Sequence, residues 1–104
     1  MNNPPTILLV DDEPLIRAAL ADALDEGGYF ILESDDAEDA IAKIDATPAI
    51  AGVITDIRLG NGLDGWEVAR HARSINAHMA VVYMSGDSGV NWAAQGVPNS
   101  IMVQ

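Results

Sequence analysis

Short apolar runs alternate with segments of helical periodicity along the whole chain, and this alternation restricts the fold more than any other feature of the sequence. The runs that predict strands are 6–10, 29–33, 51–55, 79–84 and 100–104. Strands that are apolar on both sides are typical of a parallel sheet covered by helices on both faces. Because crossover connections are right-handed, few topologies remain, and we predict five parallel strands in the order 2-1-3-4-5.

Four helices are predicted between these runs. Pro14 opens the first and Gly27 ends it, since proline suits the first helical position and glycine suits the residue after the last turn. Asp35 and Asp64 each have a glutamate three residues later, a capping-box spacing that predicts helices running to about residues 46 and 76. A short fourth helix is predicted at 90–95. The residues expected to face the core are Ile16, Leu20, Ala23 and Leu24 in the first helix, Ala37, Ala40, Ile41 and Ile44 in the second, and Trp66, Ala69 and Ala72 in the third.

Three carboxylates stand where predicted strands end. Asp11 and Asp12 directly follow the first run, and Asp56 directly follows the third. The carboxyl ends of neighbouring parallel strands share one edge of a sheet, so these side chains should lie together. At ~4 Å and an effective dielectric constant of ~20, each like-charged pair costs roughly 4 kcal/mol. A fold that keeps such a cluster either raises the pKa of a carboxyl group or binds a cation, and we predict Mg²⁺.

The composition excludes several classes of function. Five Lys or Arg residues stand against sixteen acidic ones, a formal net charge of -11, so direct binding to nucleic acid or to an anionic membrane is not expected. No run is long enough to span a bilayer, and the first residues lack the features of a signal peptide. The absence of cysteine excludes disulfides and thiolate metal sites, and it fits a cytoplasmic location.

With these residues in place, almost the whole chain resembles the receiver domain of bacterial response regulators, the chemotaxis-regulator-like module of two-component signalling. The resemblance rests on the acidic pair after strand one, the Asp after strand three, the Ser after strand four and a glycine-containing loop before the third helix. It implies a flavodoxin-like, doubly wound α/β fold. It also implies a phosphorelay, in which Asp56 takes a phosphoryl group from a sensor histidine kinase or a histidine phosphotransfer protein and switches a surface that binds a downstream protein. Such a domain is not an enzyme beyond its own phosphorylation and dephosphorylation.

The family implies a ligand set for Mg²⁺. Asp12, Asp56 and the backbone carbonyl of Arg58 would bind the ion directly, and Asp11 would bind it through water. All of these are hard oxygen donors, as Mg²⁺ prefers, and a few waters can complete the octahedron.

The family also implies positions that respond to phosphorylation. Ser85 resembles the switch hydroxyl that turns to the phosphoryl oxygens. Arg58 and Asp87 match positions that border the phosphoryl group and tune its hydrolysis. Met102 falls where the family has an aromatic switch residue in strand five, so an aromatic rotamer switch is not expected there.

The chain departs from the family near its end. The family has a Lys after strand five and then a fifth helix, whereas the one Lys of this sequence, Lys43, falls in the second helix. We therefore expect residues 1–104 to form a single receiver domain that is truncated before the last helix. Ile101 and Val103 would then expose apolar surface, which favours self-association or swapping.

Three other classes of function remain open. A receiver-like module that acts by protein contact, without phosphate, is compatible with the missing Lys and aromatic residue. A haloacid-dehalogenase-type phosphatase also uses an Asp nucleophile and Mg²⁺, but that class separates its first two acids by one residue, whereas Asp11 and Asp12 are adjacent. A flavin-binding domain is the weakest alternative, because three acids at the first strand would repel the flavin phosphate.

Overall fold

The sheet has the predicted parallel topology. A computed structural model describes residues 4–60, 62–84 and 95–103 of the chain. The elements are β1 (Thr6–Val10), α1 (Pro14–Glu26), β2 (Phe30–Ser34), α2 (Ala37–Ala46), β3 (Ile50–Asp56), α3 (Gly65–Ile75), β4 (Ala80–Met84) and β5 (Ile101–Val103). Every strand pair is parallel, and the order β2-β1-β3-β4-β5 confirms the predicted fold class. The helix predicted at 90–95 falls mostly outside the described residues.

The core lies on the face of the sheet that α2 and α3 cover. Leu8, Val10 and Val53 of the central strands pack there in one cluster with buried residues of both helices. A second cluster lies towards β4, where Trp66 meets Tyr83 edge to face with ring centroids 4.7 Å apart. The predicted inner residues of both helices are buried, except Ile41, which is partly exposed. No helix in the described part of the chain is long and apolar enough to cross a bilayer.

The first helix does not have the buried face that its periodicity predicts. No residue of α1 is buried, and Ile16 is 47% exposed, so this prediction is wrong. The helix makes its main contacts with β1 and β2. Beside it, a groove of about 200 Å³ is lined by Leu24 together with Ile54 and Val82 of the central strands. The apolar stripe of α1 therefore flanks a stretch of sheet that no described helix covers, and this leaves the stripe partly in solvent.

The helix caps agree with the sequence in one case and differ by one residue in the other. Asp64 caps α3 by accepting a hydrogen bond from the Glu67 N–H at 3.2 Å, as predicted. The cap of α2 is Asp36, whose carboxylate accepts from the Asp39 N–H at 2.7 Å. The prediction of Asp35 was wrong because three consecutive polar residues precede α2 and more than one of them has a capping spacing.

Candidate metal centre

The strands bring the three predicted acids to one edge of the sheet. In the register of β1 and β3, Val10 pairs with Thr55, so the next residue of each chain segment lies just beyond that pair. Those residues are Asp11 and Asp56, and Asp12 follows. One carboxylate oxygen from each of the three lies within 4.8 Å of the others. This is the switch point of the sheet, where β1 and β3 are neighbours and their connections leave in different directions.

The three carboxylates differ in exposure, and this sets the electrostatics of the cluster. Asp11 is buried, Asp12 is exposed, and Asp56 is intermediate in exposure. Burial raises the pKa of Asp56 above its usual value, and the negative charges of Asp11 and Asp12 raise it further. The nearby backbone N–H groups of Ile57 and Arg58 oppose this rise, because they favour the negative charge. The site therefore makes the ionised form of Asp56 less favourable than it is in water, and a bound cation would offset this.

Asp11 is held on three sides. Its N–H donates to the Ser34 carbonyl of β2 at 3.1 Å, and its carboxylate Oδ1 accepts from the Glu13 N–H at 2.9 Å. Its own carbonyl accepts from the Nη1 of Arg17 at 2.8 Å. Sequence patterns favoured Glu13 as a helix-start acid over a supplement to the acidic pocket, and they did not point to Arg17.

The main chain of Asp56 is packed against the start of α3. The Gly65 N–H donates to the Ile57 carbonyl at 2.8 Å, and a Cβ added at Gly65 would lie 2.1 Å from the Asp56 carbonyl oxygen. The Thr55 hydroxyl also donates to that oxygen at 2.8 Å. Only glycine fits this close approach of helix and strand, and the one sequence signal for it is a glycine directly after the Asp64 cap.

The other predicted site residues fall in different places. Ser85 and Asp87 lie outside the described residues. Arg58 is exposed, two residues beyond Asp56. Met102 is partly buried and pairs with Tyr83 across β4 and β5. Lys43 bonds residues outside the acid cluster: its Nζ donates to the Asp39 carboxylate and to the Glu33 carbonyl, both at 2.6 Å.

The donors of the cluster suit a hard divalent cation. They are carboxylate oxygens, close enough together to share one ion, and they include no nitrogen or sulfur. Mg²⁺ is bound in proteins by one or two carboxylates with water and phosphate oxygens completing the shell. The residues present therefore fit Mg²⁺, and the exposed side of Asp12 leaves access for water and for a phosphoryl group.

Fold and site together define an α/β domain with a carboxylate centre at the switch point of a parallel sheet. The family model described as "Response regulator receiver domain" matches residues 7–102. The chain therefore belongs to the response regulator receiver family and is a receiver domain of the two-component type.

Relatives and solved structures agree with this assignment. The chain is 34% identical over 92 residues to the C4-dicarboxylate transport transcriptional regulatory protein DctD of Pseudomonas aeruginosa, a match that covers 88% of this chain and 19% of that protein. The chain thus spans about a fifth of that relative's length. Among structures, a response regulator receiver protein from Sinorhizobium medicae has a TM-score of 0.93 at 40% identity, covering 96% of this chain and 81% of the other. The response regulator TrrA of Thermotoga maritima, solved in complex with Mg²⁺ and BeF, has a TM-score of 0.79 at 30% identity, covering 96% and 86%.

Proposed function

We propose that Asp56 is the phosphoryl acceptor of this receiver domain and that Asp11, Asp12 and Asp56 hold Mg²⁺, together with the backbone carbonyl of Arg58. The observation that supports this most is the convergence of three carboxylates within 4.8 Å at the ends of β1 and β3. Asp56 is the member that ends a strand, has its main chain fixed by α3 and keeps part of its carboxylate accessible. It is therefore the best placed of the three to act as a nucleophile.

The proposed reaction is the transfer of a phosphoryl group from a phosphohistidine. A carboxylate oxygen of Asp56 attacks phosphorus, the P–N bond breaks, and the imidazole nitrogen keeps the electron pair and takes a proton from solvent. Phosphoryl transfer needs positioning and charge neutralisation more than covalent work by the protein. Mg²⁺, when bound, supplies the neutralising charge for the carboxylates and the phosphoryl oxygens. The chain's own contribution is to hold Asp56 in line and to keep the acids together.

The partners follow from this chemistry. The donor is a sensor histidine kinase or a histidine phosphotransfer protein, and the output is a change in a surface that binds a downstream protein. We expect both interactions to take place in the cytoplasm. Ser85 as the switch hydroxyl, with Arg58 and Asp87 tuning hydrolysis, stays a prediction from the family. Met102 beside the buried ring of Tyr83 supports a switch that works without an aromatic residue in β5.

The test is intact mass after incubation with Mg²⁺ and acetyl phosphate, a small phosphodonor. The parent chain should gain one phosphoryl group, the gain should disappear when EDTA replaces Mg²⁺, and Asp56→Asn should gain none. Asp45→Asn, which removes an exposed acid of α2 that is not part of the cluster, should be phosphorylated like the parent. An equal adduct on Asp56→Asn would show that another side chain is the acceptor. No adduct on any form would favour the phosphate-independent binding module.

We also infer that this chain self-associates through a second copy at its apolar flank. Ile101 and Val103 of the edge strand β5 are 58% and 51% exposed, and the groove beside α1 is lined almost entirely by apolar side chains. Burying such surface against another copy is favourable. Sedimentation velocity over a range of concentrations should show dimers in the parent and fewer in Ile101→Ser. A parent that remains monomeric at high concentration would contradict the inference.

A further inference from the structure

We propose that Arg17 is a positioning residue for the metal centre: its guanidinium fixes the turn that carries Asp11 and Asp12 and thereby strengthens the binding of Mg²⁺. The inference rests on the proposed function of the acid cluster, and it assigns a role to a residue outside the predicted ligand set. Arg17 would touch neither the metal ion nor the phosphoryl group. It would act through the main chain of Asp11.

The guanidinium joins three elements at the end of β1. Its Nη1 donates to the Asp11 carbonyl at 2.8 Å, and its Nε donates to the Glu33 carboxylate of β2 at 3.1 Å. Arg17 itself belongs to α1, and its side chain is only 20% exposed. Because the guanidinium is a rigid planar fork, the position of one bond fixes the direction of the other. The turn after β1 is thus tied to both its neighbouring helix and its neighbouring strand.

Arg17 bonds a part of the turn that the other two hydrogen bonds of Asp11, both between described residues, leave unrestrained. The Asp11 N–H is held by the Ser34 carbonyl, and the Asp11 carboxylate is oriented by the Glu13 N–H. The carbonyl of Asp11 begins the peptide that leads to Asp12, and Arg17 is its partner. Asp12 is exposed, so its position depends on the orientation of this peptide. Loss of Arg17 would free that peptide and widen the range of positions that Asp12 occupies.

Simple electrostatics predicts the opposite result, which makes the proposal testable. An arginine near a cation site repels the cation, so a role as a charge alone would mean that removing Arg17 strengthens Mg²⁺ binding. A positioning role means that removing it weakens binding. Mutating a residue that orients a metal ligand typically weakens metal binding by about 10- to 100-fold. The sign of the change therefore distinguishes the two roles.

The experiment is calorimetric titration of the full chain with MgCl₂, at a temperature where circular dichroism shows every variant folded. The parent is compared with Arg17→Ala, with Arg17→Lys and with the control Arg70→Ala. Arg70 is a matched control because it also bonds a carboxylate, that of Glu67, and a backbone carbonyl, that of Gln95, but on α3. We expect the Kd for Mg²⁺ to rise about tenfold or more in Arg17→Ala. It should rise in Arg17→Lys as well, because lysine keeps the charge but lacks the fork.

Three outcomes are informative. An unchanged or lower Kd in Arg17→Ala would overturn the proposal. Arg17 would then only link α1 to β2, and its loss would lower the melting temperature in EDTA without weakening metal binding. Should Arg17→Ala not fold, Arg17→Lys decides, and parental affinity in that variant would overturn the proposal. A parent that binds no Mg²⁺ would instead refute the metal site itself, which separates failure of the proposed function from failure of this inference.

Discussion

Replacing Asp56 with asparagine should stabilise the folded chain when no divalent cation is present. The substitution keeps the size of the side chain and removes one charge from a cluster of three. Like charges in a cluster oppose folding, because the unfolded chain separates them. The direction of the change thus tests whether the acids are held together at a cost, as a functional site implies, or whether they stabilise the fold.

The size of the effect follows from the geometry. At the 4.8 Å that bounds the oxygen separations, and at an effective dielectric constant of ~20, one pair of unit charges costs about 3.5 kcal/mol. Asp56 takes part in two such pairs. Asp12 is exposed and Asp56 is only partly buried, so water screens both pairs and lowers the net cost to about 1–2 kcal/mol. For a domain of this size, that corresponds to a rise in melting temperature of about 4–16 °C.

The assay is thermal unfolding followed by circular dichroism at pH 7 in low salt with EDTA. Asp22→Asn is the control, because it makes the same change in net charge at an exposed position of α1, and it should shift the melting temperature by much less. Adding Mg²⁺ should then stabilise the parent more than Asp56→Asn, since asparagine is a poorer ligand for Mg²⁺. A fall of several degrees for Asp56→Asn in EDTA would refute the electrostatic argument and make Asp56 a structural residue.

Three further predictions concern contacts of α3 and β4. Gly65→Ala should lower the free energy of unfolding by at least about 1–3 kcal/mol in urea titrations and weaken Mg²⁺ binding, because its Cβ would collide with the Asp56 carbonyl; unchanged binding would show that this contact does not position Asp56. Tyr83→Phe should cost about 1 kcal/mol near neutral pH, since the Tyr83 hydroxyl accepts from the Val97 N–H. Burial raises the pKa of Tyr83 in the folded chain, so as the pH rises the phenol ionises first in the unfolded chain. The stability of the parent should therefore fall above pH ~10, and Tyr83→Phe should reduce that fall. Asp64→Ala should cost about 1 kcal/mol in the same urea titrations by removing the cap of α3, and a loss below a few tenths would argue that water replaces the cap.

The sequence was sufficient for the topology and for the acid cluster because both follow from strand ends. Uninterrupted apolar runs identify buried parallel strands, and the strand order then decides which ends are neighbours. The strand order alone therefore predicts that Asp11, Asp12 and Asp56 lie together. The register of β1 and β3 in the structure brings their carboxylates within reach of one ion.

The sequence was insufficient where tertiary contacts decide the outcome. Helical periodicity shows that α1 has an apolar stripe, but burial of the stripe depends on what lies beside it, and the flank of sheet next to Leu24 has no described helix over it. Arg17 looked like an ordinary helix residue, because the groups that it bonds, the Asp11 carbonyl and the Glu33 carboxylate of β2, come together only in the fold. The sequence placed Gly65 directly after the Asp64 cap but gave no sign of its contact, since nothing local shows that α3 begins against the main chain of Asp56.

The contacts that hold the acid cluster reach its main chain from opposite sides. Arg17 bonds the Asp11 carbonyl from α1, while Thr55 bonds the Asp56 carbonyl and Gly65 packs on it from α3. These contacts use the carbonyls and not the carboxylate oxygens, whereas direct salt bridges to the carboxylates would neutralise the charges and remove the need for a cation. The anchors also keep together charges that repel each other. Loss of one of these contacts, from Arg17 or Gly65, should therefore release part of that repulsion. In EDTA such a variant should lose less stability than its broken contacts predict, whereas nothing offsets its weaker binding of Mg²⁺.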